Sequence, residues 1–208
     1  MVAVDPRSRE VRRLLDRYLV EIVEAYELCP WAKTSRTGGE LAVEILWGQP
    51  TSEAWLAAAT RAFTDPGIKI AMLVAPELVI ERTAFHTVRD ELAKRAGSLG
   101  IAEFHPDARY DAKTPARLVP FLRRSPDPLL QCVPLALLDQ VRGPSLDVTR
   151  SEQIAMLVKA GGIQAVKPPI ADRIAVANHA RVDEQAFEAT LASIQADRAE
   201  SYARVGIK

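Results

Sequence analysis

"IKIAMLVA", residues 68–75, decides the fold. It carries one charge, Lys69, and its apolar residues run on without alternating with polar ones. A short unbroken apolar run fits a strand buried on both faces, at the centre of a sheet with helices above and below. On its N-terminal side, Asp65-Pro66-Gly67 reads as a turn. Before it lies a helical stretch from Glu53 to Phe63, with Ser52 as its expected cap. "LAVEILWG" (41–48) alternates loosely and reads as a second strand. On the C-terminal side, residues 81–96 read as a helix ending at Gly97, followed by a short strand, "IAEFH" (101–105). "LLQCV" (129–133) supplies a fourth strand, and "LALLDQV" a short helix closed by Gly143-Pro144.

At the start of the chain, Val11, Leu14, Leu15, Tyr18, Leu19, Ile22, Val23 and Tyr26 recur at helical spacing, so 11–28 reads as an amphipathic helix. Asp5-Pro6 fits an N-cap and a first-turn proline, and Pro30 ends the helix near Leu28. Thr34–Glu40, with Gly38-Gly39, reads as a loop. Residues 106–128 are proline-rich and irregular, with at most a helical turn at 116–122. After them the pattern is helical, at about 149–160, 169–181 and 183–204. The expected fold is α/β: a four- to five-stranded sheet flanked by helices, with a helical C-terminal addition. An α+β arrangement stays open. We expect one domain over 1–208, with an α/β core at 8–145 and a helical extension at 146–208 packed on it.

Composition narrows the function. The chain has 27 basic and 27 acidic residues, so it lacks the positive excess of a general nucleic-acid binder. No apolar run approaches the roughly 18 residues of a membrane span. The N-terminus, Met1-Val-Ala-Val-Asp5-Pro6-Arg7, lacks the basic-then-apolar order of a signal peptide. Two cysteines, Cys29 and Cys132, make no disulfide framework, and a cytoplasmic location with free thiols is expected. No glycine-rich phosphate loop or dinucleotide motif is present. No close Cys or His pair has metal-ligand spacing, so no metal site is assigned. A haem or metal ion held by Cys29 or His105 stays open as an alternative.

The expected site lies at strand ends, where open α/β sheets build their pockets. His105 closes the third strand, and its imidazole could serve as acid, base or ligand with Asp107 orienting the ring. Arg123 and Arg124 stand before Ser125-Pro126-Asp127-Pro128, where two prolines hold the chain extended. They are candidate forks for a substrate anion, with Arg124 the better placed and Ser125 a further donor. His86 and His179 sit on expected helices and read as filler, and Cys132 reads as core.

Cys29 has two readings. At the C-terminal end of the first helix, the local dipole opposes a thiolate. If Pro30 instead opens a second short helix, Cys29 becomes its N-cap and the dipole favours the thiolate. Cys29 is then a nucleophile, a redox thiol or a ligand, with Trp31 beside the substrate; a buried structural role is the bland alternative.

Three motifs taken together resemble the uncharacterised bacterial domain-of-unknown-function family 1415. They are Leu28-Cys29-Pro30-Trp31-Ala32, Phe104-His105-Pro106-Asp107 and Arg124-Ser125-Pro126-Asp127-Pro128. The chain departs from that family's pattern at Trp31, Arg123 and Asp127. The resemblance implies a small soluble bacterial protein in which Cys29, His105, Asp107 and Arg124 share a site, and it supplies no reaction. The leading expectation is thus a small enzyme acting on an anionic small molecule, without nucleic acid or membrane. The rival is a non-catalytic interaction protein whose C-terminal helices form a partner or homo-oligomer surface. In that rival, the stripe Phe187, Leu191, Ile194 would face the partner and Arg198 would interrupt it. Packing of the stripe within the chain is the simpler expectation.

Overall fold

A computed structural model describes residues 5–26, 31–108, 123–142 and 183–208. Cys29, His179, the helical turn expected at 116–122 and the helices expected at 149–160 and 169–181 lie outside the described residues. Four strands form one sheet: β1 (Leu41–Ile45), β2 (Ile70–Val74), β3 (Leu99–Phe104) and β4 (Leu129–Pro134). Their order is β1-β2-β4-β3. β1 is parallel to β2, whereas β4 is antiparallel to both of its neighbours. The sheet is therefore mixed, and all five residues of β2 are buried, as its apolar run requires.

Helices cover both faces, and β2 and β4 serve two cores by alternation. On one face Ile70, Met72, Val74, Leu129 and Val133 pack beneath α1 (Pro6–Tyr18) and the long C-terminal helix. On the other, Ala71, Leu73, Leu130 and Cys132 pack beneath α3 (Ser52–Ala62) and α4 (Arg82–Arg95), with Trp55 and Phe85 in edge contact. A short α2 (Ala32–Thr37) precedes β1, and α5 (Leu135–Arg142) follows β4.

Several boundaries follow from caps. Asp5 accepts hydrogen bonds from the backbone N–H groups of Arg7 and Ser8, with Pro6 in the first turn, as its sequence suggests. For α3 the cap is Thr51 and not Ser52: the Thr51 hydroxyl accepts from Ala54 N–H at 3.3 Å. Gly67 N–H donates to Asp65 Oδ1 at 2.8 Å, which closes the expected turn.

The first helix differs from its simple reading. α1 runs into a π-helical stretch, Leu19–Glu24. The wider turn admits an extra residue, so Leu19, Ile22 and Val23 all stay on the buried face begun by Val11, Leu14, Leu15 and Tyr18.

The C-terminal helix, α6 (Glu184–Val205), is capped by Asp183, which accepts from the N–H groups of Gln185 and Ala186. It ends at Gly206, whose left-handed φ of 73° turns Ile207 back into the core. Phe187, Leu191 and Ile194 are buried within this chain, with Tyr26 edge-on to Phe187 at 5.4 Å. Among the described residues, no helix is long and apolar enough to cross a membrane.

Candidate functional site

The pairing directions make β1, β2 and β3 point the same way. Their carboxyl ends therefore meet the start of β4 on one rim of the sheet. The chain following β2 and β3 and the approach to β4 converge there.

His105 is the tie of this rim. Its backbone N–H donates to Arg123 O at 3.0 Å, joining the exit of β3 to the approach of β4. Its ring is buried, 5.7 Å from the Phe85 ring. Nδ1 lies 3.1 Å from Asp107 N–H and accepts from it, and Nε2 lies 3.1 Å from Ile80 O. That pattern assigns the proton to Nε2, which donates to the carbonyl. Both ring nitrogens are thus committed to backbone. The expectation of an acid, base or ligand oriented by the Asp107 carboxylate gives way to a histidine that fastens three loop segments. The Asp107 carboxylate stands 3.9 Å from Nδ1 with its side chain 84% exposed, so the backbone of Asp107 holds the ring.

A buried polar knot lies beside it. Asp127, 2% exposed, accepts from Arg198 Nε at 2.7 Å and from the Tyr202 hydroxyl at 2.6 Å. Arg198 also donates to Pro76 O at 3.0 Å, and Ala75 N–H donates to Pro128 O at 3.0 Å. Burial pushes the Asp127 carboxyl above its ordinary range, opposed by Arg198 and Tyr202. Ser125 was expected to offer its hydroxyl to an anion. It is instead fully buried, and that hydroxyl donates to the Asp127 carbonyl. The two prolines hold Asp127 inward, toward α6.

A second charged group braces the neighbouring corner. Glu77 accepts from Arg7 and from Gly48 N–H, and its own carbonyl accepts from Gln49 Nε2. The Arg7 guanidinium lies 4.2 Å from the centre of the Trp47 ring.

The open part of the rim is a cleft of about 340 Å³ between α6 and the chain after β3. Its described walls are Pro106, Asp107, Arg124, Glu188, Leu191, Ala192 and Gln195. Arg124 forms an ion pair with Glu188, with side chains 26% and 46% exposed. Asp107 and Arg124, two residues singled out in the sequence, thus share one cavity.

The remaining candidates are placed elsewhere. The Arg123 guanidinium lies 5.8 Å from the Phe104 ring centre, and burial lowers its pKa against the pull of Glu103. Trp31 precedes α2 and packs half-buried against the first core. The short second helix exists, but it begins at Ala32 with Trp31 at its N-cap position, so Cys29 is not its cap. Cys132 is fully buried and its thiol is pushed up to about 12, as a core residue should be. His86, on exposed α4 surface, pairs with Glu103 on β3 at 2.8 Å.

Sequence reading missed Asp127, Arg198, Tyr202, Glu77 and Glu188. A usable signal was present for one pair. Arg198 and Tyr202 continue the Phe187–Leu191–Ile194 stripe at helical spacing, so an arginine there needs a buried carboxylate opposite it.

Among the described residues, no group of three or more His, Cys, Asp or Glu side chains is placed to hold a metal ion. No family model matches the chain, and neither a curated protein nor a solved structure matches it.

Proposed function

We propose that this protein is a small cytoplasmic enzyme that takes an anionic small molecule into the cleft between α6 and the chain after β3, with Arg124 as the anchor. The observation that carries this reading is the setting of Arg124. A guanidinium faces a cavity at the carboxyl rim of the sheet, tied among the described residues to a half-exposed carboxylate. Such a pair is worth at most about 1 kcal/mol. A ligand carboxylate or phosphate can replace Glu188 and gain the planar, two-pronged geometry that arginine offers. The volume, about 340 Å³, sits near the small end of metabolite pockets, which run from about 300 to 1,000 Å³.

His105 and the Asp127–Arg198–Tyr202 knot supply rigidity on either side of this anchor, which is what positioning a ligand demands. In this reading the reacting groups are the Asp107 carboxylate, on the cleft wall, and the Cys29 thiol, which lies outside the described residues. The zero net charge supports a small ligand over a nucleic acid.

The test is thermal unfolding in the presence of carboxylates with and without an amino group and of phosphate esters, at millimolar concentration. At least one class should raise the Tm of the wild type and leave the Arg124→Met variant unmoved. Shifts of equal size in both proteins, or none in either, would remove this reading.

A further inference from the structure

Resting on that reading, we infer that the ligand is a zwitterion: a small molecule with a carboxylate and an ammonium group on one short carbon frame, as in an amino acid. The described walls carry one cation, Arg124, and two carboxylates, Asp107 and Glu188. A simple anion entering this cleft meets Arg124 but also faces both carboxylates. It either shares the guanidinium with Glu188 or takes that partner from it, and in both cases its negative charge lies beside the Glu188 carboxylate. Like charges at short range oppose binding, so a plain anion gains at Arg124 and loses beside it.

A zwitterion removes the conflict. Its carboxylate takes the Arg124 guanidinium, and its ammonium takes Glu188, which then exchanges one cationic partner for another. Asp107, 84% exposed and with no lysine or arginine bonded to it among the described residues, supplies a second acceptor for the same ammonium. Gln195 adds a neutral polar group, and Leu191 with Pro106 offers apolar wall for a short hydrocarbon portion. The same complementarity gives selectivity. A carboxylate without an amine leaves two negative walls unanswered, and an amine without a carboxylate leaves the arginine unanswered.

The experiment uses the full chain and three matched sets of probes: α-amino acids with aliphatic side chains, their deaminated carboxylic acids, and their decarboxylated amines. Leucine, 4-methylpentanoate and 3-methylbutylamine form one such set. Binding is read by calorimetry near neutral pH. The amino acid should bind at least about tenfold more tightly than either partial analogue, as expected when a charge-assisted contact is lost. Asp107→Asn and Glu188→Gln should each erode that preference, and both sites are exposed enough for the fold to persist. Arg124→Met should abolish binding of the amino acid and the carboxylic acid alike.

If the carboxylic acid binds as tightly as the amino acid and needs Arg124, the zwitterion is wrong while the anion anchor stands. Binding of the amine alone, independent of Arg124, overturns both. A complete lack of binding across the three sets also overturns the zwitterion, and the wider carboxylate and phosphate panel then judges the anchor separately.

Discussion

Arg198–Asp127 and Arg124–Glu188 cross the same seam, between α6 and the strand ends, with Glu188 and Arg198 roughly three turns apart on one helix. In the first pair the carboxylate is 2% exposed, and a tyrosine hydroxyl and a backbone carbonyl complete the bonding. In the second the carboxylate is 46% exposed and the guanidinium looks into a cavity. The chemistry is the same, but the solvent differs. A buried ion without its partner is costly, so the first pair cannot be exchanged. An exposed ion can be rehydrated or handed to a ligand at little cost, so the second can. One helix thus fixes the rim with one arginine contact and leaves another open to solvent.

Stability measurements can break that comparison. Arg198→Ala should lose about 3 kcal/mol in urea unfolding, because it strands the buried Asp127 charge. Losing less than Arg124→Ala would reverse the assignment of the two pairs.

A third cluster along the seam sharpens it through pH. Arg13 and Arg17 on α1 both donate to Asp197 on α6, at 2.7–2.8 Å, and hold its carboxyl down to about 2. Desolvation opposes this and does not win. A carboxylate with a lowered folded pKa adds stability above its ordinary pKa of 3.8, and that stability is lost as pH falls toward 2. The difference between wild type and Asp197→Asn should be about 1 kcal/mol at pH 6 and shrink toward zero near pH 2, after allowance for solvent screening. A difference that grows on acidification would contradict the sign.

The smallest effect belongs to the cleft. Arg124→Ala and Glu188→Gln should each cost less than about 1 kcal/mol in unfolding, and their double mutant should show little coupling. Large coupling would mean that the pair is structural and closed to a ligand.

These differences explain what could be read from the sequence. Apolar continuity in 68–75 located a central strand, because burial on both faces leaves little room for polar residues, whereas 129–133 was legible as a strand but not as a central one. The sheet's mixed order was not legible, since nothing local distinguishes a strand inserted between neighbours from one added at an edge. His105 and Arg124 stood out by type and place, but their roles depend on partners remote in the chain. Ile80 lies 25 residues from His105, and Glu188 lies 64 from Arg124. Asp127 was passed over because nothing in the extended stretch around it signals that its carboxylate is buried. Arg198, 71 residues later, and Tyr202, 75 residues later, make its burial tolerable.

The insertion of β4 between β2 and β3 also sets an order of assembly. β1 and β2 can pair as soon as α3 connects them, but β3 has no partner in the sheet until residues 129–134 arrive. The central strand is thus the last of the four to be synthesised, and the sheet closes in one late, non-local event. The same event brings Pro128 against Ala75 and Arg123 against His105. The sheet and its rim should therefore form together, and the cleft is completed only when α6 follows: a nascent chain that stops before β4 has neither.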